Sequence, residues 1–130
     1  MIISANTLEA KEDIIEWIAK SGAEESVDMI NVWLNTHLGT RYFNSWFQVE
    51  DDEIDGFAVA GLLPMNPPKV FINYIHSESK DGRRPLLDKV SEWAKELGVK
   101  IVEVHTKANP KTFTKKYGFT LDRAILTKEV

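Results

Sequence analysis

Cysteine is absent from all 130 residues, which excludes disulfides, thiolate metal ligands and a cysteine nucleophile. Histidine is scarce: His37, His76 and His105 are spaced like no metal-binding motif, so no metal is expected. No apolar run approaches the ~20 residues that cross a bilayer, and no signal-peptide pattern opens the chain. A cytoplasmic protein without a membrane partner is therefore expected. A basic excess is also missing. Sixteen Lys and Arg against 20 Asp and Glu leave a net charge of −4, which argues against a general nucleic-acid binder, whose field would be positive. Repeats, low-complexity tracts and linkers are lacking, so 1–130 reads as one domain. Its 43% of apolar residues suffices for a core without staples.

What is present is ordered by period. Thr7 can cap a helix running to about Lys20, with Ile14, Ile15 and Ile18 on one side and Gly22 as its stop. Ser26 begins a second, in which Ile30, Trp33, Leu34, His37 and Leu38 recur at helical spacing until Gly39. Trp46–Glu50, the acidic turn Asp51-Asp52 and Ile54–Leu62 read as a β-hairpin with a solvated tip. Pro64, Pro67 and Pro68 mark a loop, because proline removes ladder donors. A strand is predicted over Val70–Ile75, a helix over Pro85–Leu97 and a strand over Lys100–Thr106.

The Pro85–Leu97 helix carries the clearest stripe: Leu86, Leu87, Val90, Trp93, Ala94 and Leu97 on one side, charges on the other. Proline at its first position and Gly98 past its end fit the asymmetry of helix termini. The tail offers Asn109-Pro110, a short helix over Lys111–Lys116, then Gly118-Phe119, with strands near Phe119–Leu121 and Ala124–Lys128. Trp17, Trp33, Trp46 and Trp93 all lie within periodic elements and are expected in the core. The order α-α-β-β-β-α-β-α-β, a hairpin followed by a strand–helix–strand crossover, implies an α/β fold with a mixed β-sheet flanked by helices.

One junction points to function. The strand Val70–Ile75 runs into the polar loop Ser77–Arg84, which holds Lys80, Gly82, Arg83 and Arg84 and opens directly onto a helix. Unpaired N–H groups and the dipole of a helix N-terminus favour anions, so the loop suits a phosphate-bearing cofactor.

This element order, together with Trp46–Phe57, the loop and helix at Lys80–Gly98 and the ending Lys116-Tyr117-Gly118-Phe119, resembles the GNAT superfamily of acetyl-CoA-dependent N-acetyltransferases. The resemblance implies a single GNAT-like domain that moves an acetyl group from acetyl-CoA to an amine on a small molecule or a protein. It implies that the strand through Tyr74 and Ile75 contacts the pantetheine arm, and that Lys80, Gly82, Arg83 and Arg84 hold phosphates. Asn109 is a further cofactor contact on the same grounds. Two departures stand out. The family's loop pattern, Arg/Gln-x-x-Gly-x-Gly/Ala, becomes Ser79-x-x-Gly82-x-Arg84 when anchored on Gly82. Anchored on the upstream strand, Lys80 takes the cation's place and the loop is shorter. Arg84 must then swing aside or bind phosphate itself. Counting back from Gly118-Phe119, the family's proton-donating tyrosine falls on Thr114, a much weaker acid than a phenol.

Aminolysis of a thioester needs a base or water path for the amine proton and a donor for the leaving thiolate. His76, at the end of the strand before the loop, is the candidate base, and Tyr117 the candidate acid. Glu103 and His105 share a strand face and either line the cleft or meet solvent. The altered loop and Thr114 leave a second reading, a GNAT-shaped domain that binds or scaffolds without catalysis.

Overall fold

The computed structural model describes residues 1–105, 110–121 and 128–129. In chain order these form β1 (Ile2–Ser4), a short 3-10 turn (Leu8–Ala10), α1 (Lys11–Lys20), α2 (Val27–His37), β2 (Phe43–Glu50) and β3 (Glu53–Leu63). Then follow β4 (Lys69–Ser77), α3 (Arg83–Glu96), β5 (Val102–Val104) and α4 (Pro110–Tyr117). The strands make one mixed sheet in the order β1-β2-β3-β4-β5. Every pair is antiparallel except β4 and β5, which run parallel with α3 as their crossover.

Alternation along β3 explains the layers. Phe57 and Val59 face one side and pack with Ile14, Ile18 and Leu34 of α1 and α2. Ala58 and Ala60 face the other, where their small side chains leave room for Trp46, Ile72 and α3's Leu86, Val90 and Trp93. The Trp46 and Trp93 rings meet edge to face, 5.7 Å between centroids. Asp51 and Asp52 both take positive φ, the conformation a two-residue hairpin turn demands, and both are exposed as expected of a solvated tip.

Several sequence expectations are corrected. The order predicted from sequence begins with a helix, whereas β1 comes first; three residues are too few for a period, and the strand exists through its pairing with β2. Pro85 is the third residue of α3, because the helix starts at Arg83. Proline is tolerated there since first-turn N–H groups have no intrahelical acceptor. Thr7 is extended but makes no side-chain cap, unlike Ser26, whose Oγ accepts from the Met29 N–H at 3.2 Å. Of the strand expected over Lys100–Thr106, Val102–Val104 is formed among the described residues, and Thr106 lies outside them. Trp33 is only half-buried, while Trp17, Trp46 and Trp93 lie in the core. Phe119–Leu121 forms no strand, and most of the strand expected over Ala124–Lys128 lies outside the described residues, as does Asn109.

Candidate active site

The site begins where two parallel strands part. Among the described residues, β5 pairs with β4 from Val70 to Ile72 and ends at Val104, while β4 continues through Asn73 to Ser77. Pairing with β3 also slips here: Val59 opposes Tyr74 and Ala60 opposes Ile72, so Asn73 is the extra residue of a bulge. Its Oδ1 is buried without a hydrogen-bond partner among the described residues. The edge of β4 that faces β5 is thereby opened toward a cleft of about 390 Å³, lined by Ile72–Ile75, Val104, His105, Arg83, Phe113 and the α1–α2 loop Ser21–Glu25.

That loop brings carboxylates. The Tyr74 hydroxyl is hydrogen-bonded to Glu25, and its pKa is pushed up to about 12, first by burial, then by the Glu25 charge and by the hydrogen bond. Tyr74 thus stays a neutral phenol at ordinary pH. On the opposite wall, His105 Nε2 lies 3.2 Å from Glu103 Oε2, and Lys69 Nζ lies 3.2 Å from Glu103 Oε1. The His105 ring also meets Phe71 edge to face at 4.8 Å. Of the two alternatives left open for this strand face, His105 lines the cleft, and Glu103 backs it.

A second cavity of about 290 Å³ shares Arg83 with the first and is lined by Ser77, Ser79–Arg83, Lys116 and Tyr117. Cations dominate it: Lys80, Arg83 and Lys116. Arg84 has swung aside, with Nη2 donating to the Lys116 carbonyl at 2.7 Å and its guanidinium over the Tyr117 ring. Lys116 Nζ pairs with Asp81 at 3.2 Å, tying α4 to the loop. Two first-turn N–H groups are already engaged: Gly82 donates to the Ser79 carbonyl and Arg84 to the Asp81 carbonyl, each at 3.2 Å. Asp81 carries the positive φ of this turn, while Gly82 has φ −63°. Gly82 is glycine for space, since a Cβ there would overlap Ser77 Oγ and Ser79 Oγ.

The residues singled out from sequence are therefore distributed. Tyr74, Ile75 and Arg83 meet at the first cleft, and Lys80, Gly82, Arg83 and Tyr117 at the second. Arg84 braces α4. His76 is not at the end of its strand, which continues to Ser77; its ring packs against Trp17, 6.1 Å between centroids, on the α1 side of the sheet. It lines neither cavity. Thr114 Oγ1 donates to the Lys111 carbonyl at 3.1 Å. Sequence reasoning missed Glu24, Glu25, Lys116 and Gln48. Only Gln48 left a signal, a polar residue two positions from Trp46 on an inward strand face.

No protein-family model matches the chain, and no curated protein matches it in sequence. Its fold does match solved structures: it is the fold of the GNAT N-acetyltransferases. AAC(6')-Iy, an aminoglycoside N-acetyltransferase solved with a CoA bisubstrate analogue, superposes with a TM-score of 0.82 at 17% identity, over 100% of this chain and 97% of that one. A predicted acetyltransferase from Clostridium acetobutylicum, solved with acetyl-CoA, gives 0.80 at 16% over 99% and 95%. The aminoglycoside 6'-N-acetyltransferase AAC(6')-IG from Acinetobacter haemolyticus gives 0.81 at 14% over 100% and 99%.

Proposed function

We propose that this protein is an acetyl-CoA-dependent N-acetyltransferase whose acceptor is a small cationic amine. The observation that carries the reading is the parting of β4 from β5 beside two cavities of opposite character that share Arg83. One gathers Lys80, Arg83 and Lys116 around a helix N-terminus; the other gathers Glu24 and Glu25 beside the open strand edge. Arginine and lysine in the first suit the phosphates of the cosubstrate, with Arg83 able to bind two oxygens at once. The open edge of β4 at Tyr74 and Ile75 suits the pantetheine arm. The Glu24 and Glu25 carboxylates suit an ammonium group, and the same acceptor class is met by the aminoglycoside acetyltransferases of this fold.

Acetyl-CoA supplies an activated carbonyl: the amine nitrogen forms the new C–N bond, the C–S bond breaks, and the thiolate leaves and takes a proton. The chain must remove the proton from the attacking nitrogen and supply one to sulfur. We assign the first role to His105 rather than His76, because His105 lines the cleft and His76 does not. Glu103, 3.2 Å from Nε2, fixes the imidazole orientation. Tyr117, the donor candidate from sequence, lines the phosphate cavity and not the acceptor cleft, so the thiolate takes its proton from the protonated base or from water. Tyr74, held by Glu25, orients the acceptor side without changing charge.

The test is direct. Acetyl-CoA at ~100 times its dissociation constant should stabilise the fold by about 2.7 kcal/mol, read as a rise in melting temperature. Free thiol should then appear with diamines or aminosugars and much less with neutral amines. A protein that ignores millimolar acetyl-CoA refutes the proposal. One observation favours a second reading, a cofactor-binding domain without turnover: Thr114 stands at the family's tyrosine position with its hydroxyl already bonded. Binding without thiol release under any amine would establish that reading.

A further inference from the structure

A row of residues crosses three strands beneath the loop. Gln48 of β2 opposes Gly56 of β3, and Gly56 opposes Ser77 of β4. Side chains alternate, so Gln48 shares the α3 side of the sheet with Trp46, as Ser77 does with Ile75. Gly56 has no side chain, and a Cβ there would lie 2.8 Å from Gln48 Oε1. The long carboxamide therefore passes over β3 to the loop beyond.

There it makes bonds in both directions. Gln48 Nε2 donates to the Gly82 carbonyl at 3.3 Å. Its Oε1 accepts from Ser77 Oγ at 2.8 Å and from Ser79 Oγ at 3.5 Å. Ser77 Oγ in turn accepts from the Ser79 N–H at 3.3 Å. Gln48 is 8% exposed and Gly82 is buried, so breaking the bond between them would strand buried polar atoms, whereas Ser77 is half-buried and Ser79 exposed. Gly82 is enclosed by the same atoms, for its Cβ would also lie 2.8 Å from Gln48 Oε1. Two glycines thus make room for one glutamine, and the glutamine fixes the start of α3.

We infer that Gln48 is a positioning residue for the cofactor, a clamp two strands away that holds the Ser77–Gly82 loop in its anion-binding shape before any ligand arrives. The inference rests on the transferase reading for the identity of the ligand, but not for the clamp. The loop bonds with its own N–H groups at Gly82 and Arg84, so little of its shape is left to the phosphates to organise. Ordering it at binding would weaken affinity, which the clamp avoids.

Gln48→Met keeps the length of the side chain and removes the bonds. In ligand-free protein, amide hydrogen exchange at Ser79 and Gly82 should quicken, while the Phe57–Ala60 amides of β3 stay protected. The KM for acetyl-CoA should rise roughly tenfold or more, from two to three lost hydrogen bonds, with kcat at saturation unchanged. Should Gln48→Met fail to fold, Ser77→Ala cuts the central link and should give the same pattern more weakly. Unchanged loop exchange, or kcat falling in step with a constant KM, overturns the clamp. Quickened loop exchange in a protein whose wild type ignores acetyl-CoA overturns the transferase reading and leaves the clamp supported.

Discussion

The two faces of the sheet support the two halves of the site by different means. On the α3 side, a tryptophan pair and aliphatic residues form the core, and a buried polar row built on Gln48 carries order to the loop at the helix start. On the α1–α2 side, rings take over: Trp33 meets Phe43 and Tyr74, Trp17 meets Phe57 and His76, and a polar link, Tyr74 to Glu25, reaches the cleft. The first arrangement fixes backbone, which suits a ligand gripped at charged groups. The second fixes only side chains beneath an exposed loop. A cosubstrate common to many reactions calls for the one, and an acceptor that differs between enzymes fits the other.

The largest effect expected from breaking this contrast is on stability. Trp93→Ala should cost about 3–5 kcal/mol in urea unfolding, since the ring is almost fully enclosed. Trp33→Ala, at a half-buried ring, should cost clearly less; equal losses would mean the two faces are supported alike. Next is Arg83, the residue both cavities share. Arg83→Ala should weaken CoA binding, measured by calorimetry, by about 1.5–3 kcal/mol with a charged hydrogen bond lost. The ligand-free melting temperature should hardly move.

Glu25→Gln separates the halves. It should weaken a dicationic acceptor by roughly 0.5–1 kcal/mol, the scale of an exposed charge pair, and leave the CoA affinity alone. A fall in CoA affinity of the same size would show that the cavities are not independent. The same change should lower the Tyr74 pKa, seen by ultraviolet titration of the phenolate, because the neighbouring charge is removed while burial remains.

The smallest effect is confined to alkaline pH. Tyr74 titrates at about 12 in the fold against 10.0 unperturbed, so between those values the folded state holds the proton that the unfolded chain has lost. Its contribution is complete below pH 10 and is lost as pH rises toward 12. Tyr74→Phe should therefore flatten the decline of stability with pH across that window. An unaltered slope would remove Tyr74 from the account.

Local pattern determined much of this molecule. The stripe on α3, the hairpin with its acidic turn and the crossover to a parallel strand all follow from period and turn chemistry, which act within a few residues. The loop at Lys80–Arg84 was legible for the same reason, as charge and glycine at a strand–helix junction. What the sequence could not determine depends on partners far along the chain. β1 is a strand because β2 is beside it. His76 looks placed for catalysis until Trp17 is found against it, and Arg84 looks like a phosphate ligand until α4 supplies a carbonyl. Glu25 reaches the site only because the α1–α2 loop folds over β4. The direction of a side chain along a strand is a local property; what it meets there is set by packing, and only the tertiary structure decides it.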